Sequence, residues 1–380
     1  MSEADALATV DTEYTADSIE FCPHAGNEQY FTCGTYQVIP VTKPTKAANG
    51  SASENGQPNG STNGTTTEYS KVVDGDDSES DSDEATPPAP RVGRLYLFKL
   101  DGDTPIEVQR TETAAILDVK WSPTDSALCV ADAKGAITQF DFADGKLSEK
   151  SKVQVTDESR LVLSLDYAKD GKGLISSLSN GALAHLSARP EGWEVTEEWH
   201  AHDFEPWIAA YGDDQNTVWS GGDDCRLKRW DLRAPQMATF INKRFDAGVT
   251  TIAPSPYAEH VLAVGSYDSN LRIFDARSPG LPLLEMELPG GIWRTRWHPS
   301  SERRGDILNA CMHGGFAVVR LPDALAGGEL CRRVDQGEII STFPGTLGYG
   351  ADWCRRKEDG PTSTVATCSF YDHVMNVWRA

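Results

Sequence analysis

A repeat of about 44 residues constrains this chain more than any other feature of its sequence. Short runs of alternating polarity recur, and each contains a large apolar residue that follows a turn-rich patch. These residues are Phe98, Phe140, Leu186, Trp230, Phe274, Val319 and Trp378, and their separations are 42, 46, 44, 44, 45 and 59 residues. A further apolar run precedes the patch, such as LCVADA at 128–133 or VLAVGS at 261–266. A period near 44 with several short strands per unit is typical of a β-propeller blade.

Seven such units predict an all-β, seven-bladed propeller of the WD-repeat type. The string WDLR at 230–233 contains the WD dipeptide, and FDAR at 274–277 and FDFA at 140–143 are close variants. The chain ends two residues after Trp378, which leaves no outer strand for the last blade. An open sheet edge there would favour aggregation. We therefore expect a strand within residues 6–15 to close the ring, with residues 1–41 supplying this strand and the start of the first blade.

Residues 42–92 differ in composition from the rest of the chain. They are rich in Gly, Ser, Asn, Thr, Pro and acid and have almost no large apolar residues. Such a segment cannot offset the entropy of ordering, so we predict a disordered acidic insert within the first blade, with 93–380 forming the remaining propeller. The insert has nine acidic and four basic residues, a net charge of −5, which leaves −17 of the total −22 in the folded part.

The charge and the termini also bound the setting in which the protein acts. A strongly acidic chain is unsuited to nucleic acid and fits a basic protein partner, although acidity also simply confers solubility. No signal peptide or apolar run long enough to span a membrane is visible, so we expect a cytoplasmic monomer that binds no membrane. The eight cysteines form no CxxC pair, which predicts reduced, buried thiols more than a zinc site. We expect neither a metal nor a cofactor.

His202, Ser220 and Asp224 have the residue types of an esterase triad. In WD repeats, however, a His before the blade, a Ser on the second strand, an Asp in the next turn and a Trp on the third strand form a structural hydrogen-bond network. With Trp230 as the fourth member, we predict that structural role here. The chain also lacks GxSxG, HExxH, P-loop and strand-to-helix GxGxxG signatures, so pattern alone favours a binding platform.

Two sets of loops are expected to meet on one face of the propeller. Six residues before each anchor after Phe98 lies a turn between the second and third strands, occupied by Lys134, Asn180, Asp224, Asp268, His313 and Asp372. In the first blade the insert occupies this turn. The loops that enter the first strands are HDFEPWIAA (202–210), GGIWRTRWHP (290–299) and YGADW (349–353). Asp and Asn are ordinary turn residues, but histidine is not. Histidines, carboxylates, an arginine and aromatic rings on one face support either general-base chemistry in a charge-recognising pocket or an ordinary polar rim with Trp between blades.

Several strings resemble those of the diphthine methyl ester hydrolase family, which is the WD-repeat enzyme of the diphthamide pathway. They are HDFEPWIAA, SGGDDCRLKRWDLR, VGSYDSNLRIFDAR, GGIWRTRWHP, ACMHGGF, YGADW and ATCSFYDHVMNVW. The similarity covers residues 200–380, with a weaker match at FTCGTYQV and RVGRLYLFKL. It implies a substrate, translation elongation factor 2 carrying methylated diphthine on a histidine. The enzyme removes the methyl ester and frees the carboxylate for the final amidation to diphthamide.

The resemblance supplies no catalytic assignment, so catalytic roles are hypotheses from chemistry. Ester hydrolysis needs a base or nucleophile and a donor for the developing oxyanion. We expect His313 to be the base or nucleophile, with His373 as the second candidate, and Arg294 to bind the oxyanion or carboxylate. Cys311 and Ser369 lie nearby as possible nucleophiles, but their strand positions favour packing in the core.

The quaternary ammonium of diphthine suggests the binding residues. Aromatic faces and nearby carboxylates bind such a cation well. We expect Trp207, Trp293 and Tyr371 to form a cage, with Glu205 and Asp352 as its counter-charges. The alternative function is a non-catalytic WD-repeat adaptor that recruits the diphthamide amidating enzyme to elongation factor 2.

Overall fold

The computed structural model describes residues 2–40, 89–326, 337–358 and 360–380. The chain divides into two compact units, one of residues 1–38 with 91–380 and the other of residues 39–90. In the smaller unit, Ile39 N donates to Pro90 O at 2.9 Å. The predicted insert at 42–92 lies largely outside the described residues, but a strand begins at Arg91, just before the predicted boundary.

The described part of the larger unit is almost entirely β-structure. Two short helical segments occur there, a 3-10 helix at Ser301–Arg303 and α1 at Asp323–Ala326. From the N-terminus, the strands are β1 (Ser2–Glu3), β2 (Ala6–Asp11), β3 (Thr15–Phe21), β4 (Tyr30–Val38), β5 (Arg91–Asp101), β6 (Thr104–Ala114), β7 (Ile116–Trp121), β8 (Ala127–Asp132), β9 (Ala136–Ala143), β10 (Lys146–Gln154), β11 (Val162–Tyr167), β12 (Gly173–Leu178), β13 (Ala182–Arg189), β14 (Gly192–His200), β15 (Ile208–Tyr211), β16 (Thr217–Gly222), β17 (Arg226–Asp231), β18 (Phe240–Asn242), β19 (Val249–Pro254), β20 (Val261–Ser266), β21 (Asn270–Asp275), β22 (Leu284–Glu287), β23 (Arg294–Trp297), β24 (Asp306–Ala310), β25 (Phe316–Arg320), β26 (Glu338–Phe343), β27 (Gly348–Trp353), β28 (Thr364–Ser369) and β29 (Val374–Arg379).

These strands form seven sheets, antiparallel except where β1 joins β26, which confirms the seven-bladed propeller. Blades 1 to 6 begin at β3, β7, β11, β15, β19 and β23, and each contains four consecutive strands. Blade 7 contains β27, β28, β29 and β2. Every first strand contacts the first strands of the two neighbouring blades, from β3 around to β27 and back to β3. The seven repeat anchors of the sequence all lie on third strands, so the repeat period is the spacing of blades.

The N-terminal segment closes the ring as expected. Strand β2 pairs antiparallel with β29, with Ala6 opposite Trp378 and Asp11 opposite Val374. Strand β1 pairs parallel with β26, at the outer edge of blade 6. The N-terminus therefore covers sheet edges of two adjacent blades, a protection that open edges require.

Buried side chains connect adjacent blades through apolar clusters and through the first strands. Among the described residues, four carboxylates on first strands each accept a hydrogen bond from a backbone N–H of the next blade. The bonds are Phe21 N to Asp352 Oδ2 (2.8 Å), Trp121 N to Glu20 Oε2 (2.7 Å), Leu165 N to Asp118 Oδ2 (2.9 Å) and Tyr211 N to Asp166 Oδ2 (2.8 Å). These bonds satisfy N–H groups that the sheets leave unpaired. In the described ranges, we find no helix of the length and apolar character needed to cross a membrane.

Candidate functional site at the channel mouth

Five aromatic side chains form a continuous belt at the end of the ring where the first strands begin. Trp207 and Trp293 precede β15 and β23, Tyr349 lies on β27, and Tyr267 and Phe370 follow second strands. Ring centroids are 5.5 Å apart for Trp207 and Trp293, 4.6 Å for Trp293 and Tyr349, and 4.7 Å for Tyr349 and Phe370. Tyr267 lies 6.0 Å from Trp293. The loops that enter first strands and the turns after second strands therefore meet on one face, as the sequence predicted.

Charged side chains lie beside this aromatic belt on the first strands. Arg294 opens β23, is 5% exposed, and places its guanidinium carbon 5.3 Å from the centroid of the Trp293 ring. Its Nη2 lies 3.8 Å from Asp118 Oδ1. Asp17, on β3, is 5% exposed, and burial raises its pKa to about 8, with Asp118 adding to the rise and Arg294 opposing it. We call the aromatic belt together with Asp17, Asp118 and Arg294 the channel mouth.

Two buried polar atoms of the channel mouth lack a hydrogen-bond partner among the described residues. They are Asp17 Oδ1 and Trp293 Nε1. By contrast, Trp207 Nε1 donates to Asp223 Oδ1 at 2.6 Å. A buried polar group without a hydrogen bond lowers the stability of the fold by about 1–3 kcal/mol. Two such groups in one cluster are therefore candidates for binding a ligand. A ligand with a charged or hydrogen-bonding group would supply what these atoms lack.

His313 lies at the rim of the channel mouth, in the five-residue turn between β24 and β25. Met312, just before it, packs with the aromatic belt. The imidazole is exposed, and its Nδ1 lies 3.3 Å from Thr346 O. When Nδ1 carries the proton and donates to this carbonyl, Nε2 retains its lone pair and can accept a proton. The geometry suits a general base that faces solvent.

His373 and Tyr371 occupy the turn between β28 and β29. His373 has a left-handed backbone, with φ of 58°, and its carbonyl accepts from Thr12 N at 2.8 Å and Thr12 Oγ1 at 2.9 Å. This turn therefore anchors the residue that follows β2. Tyr371 is 45% exposed, and its ring lies 5.5 Å from that of Phe370, so it extends the aromatic belt toward solvent.

Of the two expected counter-charges, the structure places Asp352 away from the aromatic belt, and Glu205 as a counter-charge stays a prediction. Glu205 lies in the loop before β15, half-buried, and its backbone carbonyl accepts from Asp223 N at 2.9 Å. Asp352 is 1% exposed near the far end of β27, bonded to Phe21 N and 3.5 Å from Arg355 Nη2. Its position in a blade-to-blade contact keeps it away from the belt. Sequence reasoning missed Asp17, because nothing in TADSIEF separates it from an ordinary strand residue.

Neither of the two alternative nucleophiles is suited to attack. Cys311 is fully buried, and burial raises its pKa to about 12, which keeps the thiol protonated at neutral pH. Ser369 is 2% exposed, and its Oγ accepts from Leu347 N at 3.0 Å.

His202, Ser220, Asp224 and Trp230 form a chain of hydrogen bonds in blade 4. His202 Nε2 lies 2.7 Å from Ser220 Oγ, and Nδ1 lies 2.8 Å from Asp224 Oδ1. Trp230 Nε1 donates to Ser220 Oγ at 2.8 Å. His202 is 0% exposed, and burial lowers its pKa although Asp224 opposes that effect. A serine whose oxygen already contacts two partners in the protein interior is placed to hold the blade together.

Comparisons with known proteins fit this fold. The WD domain, G-beta repeat, matches residues 237–275. A chain in the crystal structure of a mitotic checkpoint complex superimposes with a TM-score of 0.60 at 19% identity, covering 76% of this chain and 81% of that chain. At that identity the likeness concerns the fold alone.

Curated relatives are more informative. Diphthine methyltransferase of Homo sapiens is 36% identical over 92% of this chain and 74% of its own length. The diphthine methyltransferase homolog of Dictyostelium discoideum is 32% identical and covers 96% of both chains. These names support the diphthamide-pathway family that the motifs resemble, but they specify methyl transfer where the resemblance implied ester hydrolysis. With this identity over most of both chains, the protein belongs to the diphthine methyltransferase family.

Proposed function

We propose that this protein is an enzyme of diphthamide biosynthesis that removes the methyl ester from methylated diphthine on translation elongation factor 2. The observation that carries the proposal is the placement of buried Arg294 and Asp17 beside the aromatic belt. Methylated diphthine offers a quaternary ammonium group and a methyl-esterified carboxyl group. Aromatic faces suit the first, and a guanidinium suits the oxyanion that forms from the second.

The reaction needs only water as co-reactant. In our scheme, His313 Nε2 removes a proton from a water molecule, whose oxygen attacks the ester carbonyl carbon. Arg294 stabilises the negative charge on the carbonyl oxygen of the tetrahedral intermediate. The intermediate then collapses, the bond from the carbonyl carbon to the methoxy oxygen breaks, and the proton held by His313 passes to the leaving group. The products are the free carboxylate of diphthine, a proton and methanol.

The partner and setting follow from the same proposal. The substrate is a protein of the cytoplasm, and the propeller acts on it there as a monomer without a cofactor. The net charge of −22 favours encounter with a basic protein surface. The methyl-free product is the form that the amidating enzyme requires.

Oxygen-18 labelling tests the proposed reaction. Purified protein is incubated in oxygen-18 water with elongation factor 2 that carries methylated diphthine, and the diphthine peptide is analysed by mass spectrometry. Hydrolysis predicts loss of the ester methyl group, one oxygen-18 atom in the carboxyl group, and release of methanol. The His313→Ala variant, purified in the same way, is the matched control.

Three other outcomes contradict hydrolysis in different ways. Loss of the methyl group without oxygen-18 indicates transfer of the methyl group to an acceptor. Gain of a methyl group from an added donor supports the activity in the relatives' name. Stable binding of elongation factor 2 without methyl loss supports the adaptor function.

A further inference from the structure

Asp17 differs from the other carboxylates on the first strands. Asp352, Glu20, Asp118 and Asp166 each accept a hydrogen bond from a backbone N–H of the next blade. Asp17 Oδ1 has no such partner among the described residues, although the side chain is 5% exposed. On β3 the bond to the next blade is made by Glu20, so Asp17 is a second carboxyl group on the same strand, unpaired within the described ranges.

The neighbours of Asp17 place its side chain at the channel mouth. Strand β3 begins at Thr15, which pairs with Tyr36, and the Tyr36 ring lies 6.2 Å from Phe370 of the aromatic belt. Asp17 is two residues further along β3. It also interacts electrostatically with Tyr349, which stacks on Trp293. The carboxyl group thus lies near the belt, within electrostatic range of Tyr349.

The charged groups around Asp17 do not offset the effect of burial on its pKa. The ionisable groups that interact with it are Arg294 on β23, Asp118 on β7, Tyr349 on β27, Tyr36 on β4 and Cys368 on β28. Burial raises the pKa of both tyrosines and of the cysteine, so these three are uncharged at neutral pH. Arg294 is the one cation in this set, and it also interacts with Asp118. Burial dominates at Asp17, whose pKa of about 8 keeps it mostly protonated at pH 7.

We propose that Asp17 is a further binding residue of the channel mouth, the anionic partner of a quaternary ammonium group, and that it releases its proton when this cation binds. The assignment rests on the proposed function for the identity of the natural ligand. A quaternary ammonium has no N–H to donate, so aromatic faces and a nearby negative charge are the means by which a protein recognises it. The entering cation favours the ionised carboxylate, and the displaced proton passes to solvent. Asp17 thereby takes the place that the sequence assigned to Asp352.

Calorimetric titration with tetramethylammonium chloride tests this proposal without any reaction. The titration is run on the full chain at pH 7 in two buffers of different ionisation enthalpy, which reports the protons released. Wild-type protein is expected to release about 0.4–0.9 proton per bound cation at pH 7, because a fall of about 1–3 in the pKa of Asp17 on binding is linked to proton loss. Its affinity should also rise with pH and level off above pH 8, where Asp17 is already ionised.

Two isosteric variants make the test specific. Asp17→Asn keeps the shape of the neutral carboxyl group, and we expect it to fold and to release no proton. It should bind the cation about 2- to 100-fold more weakly than wild type at pH 7 and about 10- to 1000-fold more weakly at about pH 9, the factors that a fall of about 1–3 in the pKa of Asp17 implies by linkage. Asp166→Asn is the control, because Asp166 is also a first-strand carboxylate with a pKa raised by burial, but it bonds Tyr211 N. The control should match wild type in affinity and proton release.

The outcomes separate this inference from the proposed function. Absence of tetramethylammonium binding, binding without proton release, or an unchanged affinity in Asp17→Asn would each overturn the role of Asp17. Proton-linked binding that Asp17→Asn abolishes, in a protein that releases no methyl group from elongation factor 2, would retain this role and remove the hydrolase. Methyl release with an unchanged KM in Asp17→Asn would do the opposite.

Discussion

The blade 4 network and the channel mouth contain similar residue types, but their buried polar atoms are satisfied to different degrees. In blade 4 the one network atom without a hydrogen bond, Asp224 Oδ2, lies 3.2 Å from Lys228 Nζ. In the network, each functional atom of His202 and Ser220 has a partner within 2.8 Å, and His202 is fully buried. In the channel mouth, Asp17 Oδ1 and Trp293 Nε1 are buried without a partner among the described residues. Satisfied polar groups stabilise a fold, whereas two unsatisfied atoms beside an aromatic belt are consistent with a place where a ligand binds.

The two regions also share the unfavourable effect of burial on an ionised side chain. Burial opposes ionisation in both regions, lowering the pKa of His202 and raising that of Asp17. The neutral imidazole of His202 is what its hydrogen bonds require. The neutral carboxyl group of Asp17 has no partner that requires it to be neutral. A cation bound beside it would favour the ionised carboxylate. The first group stabilises the folded state, and the second is held ready for binding.

The largest effect is expected from His313→Ala. Loss of a general base typically lowers a rate by about 10²–10⁴-fold, and the exposed imidazole makes little contribution to the fold. Methyl release from elongation factor 2 should fall by this factor while the urea midpoint stays close to that of wild type. Full activity in the folded variant would contradict this assignment and favour His373.

His202→Ala should show the reverse pattern. Removing one partner of a buried network leaves Ser220 and Asp224 short of hydrogen bonds, which costs about 1–3 kcal/mol of unfolding free energy. Denaturation in urea measures this loss, and methyl release per folded molecule should be unchanged. A drop in the rate of fully folded protein would return His202 to the catalytic candidates.

The fold was more predictable than the site. The repeat period locates all seven third strands, because each blade must bury the same alternating pattern against its neighbours. The closing N-terminal strand follows from the last blade's need for an outer strand. The His–Ser–Asp–Trp spacing likewise places blade 4. Asp17 and Asp352 show where sequence fails, because both are acids on first strands and only the neighbouring blade decides which one is bonded.

The two regions should respond to pH with opposite sign. Burial lowers the pKa of His202 below the usual 6.5 of a histidine, so its contribution to stability is present above pH 6.5 and is lost as pH falls. The pKa of Asp17 rises from 3.8 to about 8, so its contribution to stability is present below pH 3.8 and is lost as pH rises toward 8.

The loss of stability caused by His202→Ala should therefore become smaller in acid, and the stability of Asp17→Asn relative to wild type should grow with pH. Each change should approach about 1 kcal/mol per pH unit, measured by urea denaturation across the range. Parallel slopes for the two variants would contradict the burial argument.

The most direct test compares Trp293→Phe with Trp230→Phe, two substitutions that each remove one buried indole N–H. Trp230 donates to Ser220, whereas Trp293 Nε1 has no partner among the described residues. Trp230→Phe should lower the unfolding free energy by about 1–3 kcal/mol and leave kcat/KM per folded molecule unchanged. Trp293→Phe should cost less stability and lower kcat/KM for methyl release by about fivefold to tenfold, since indole is the strongest ring for a cation. The opposite result, an unchanged kcat/KM in Trp293→Phe with a stability loss equal to that of Trp230→Phe, would contradict the division of roles between the two regions.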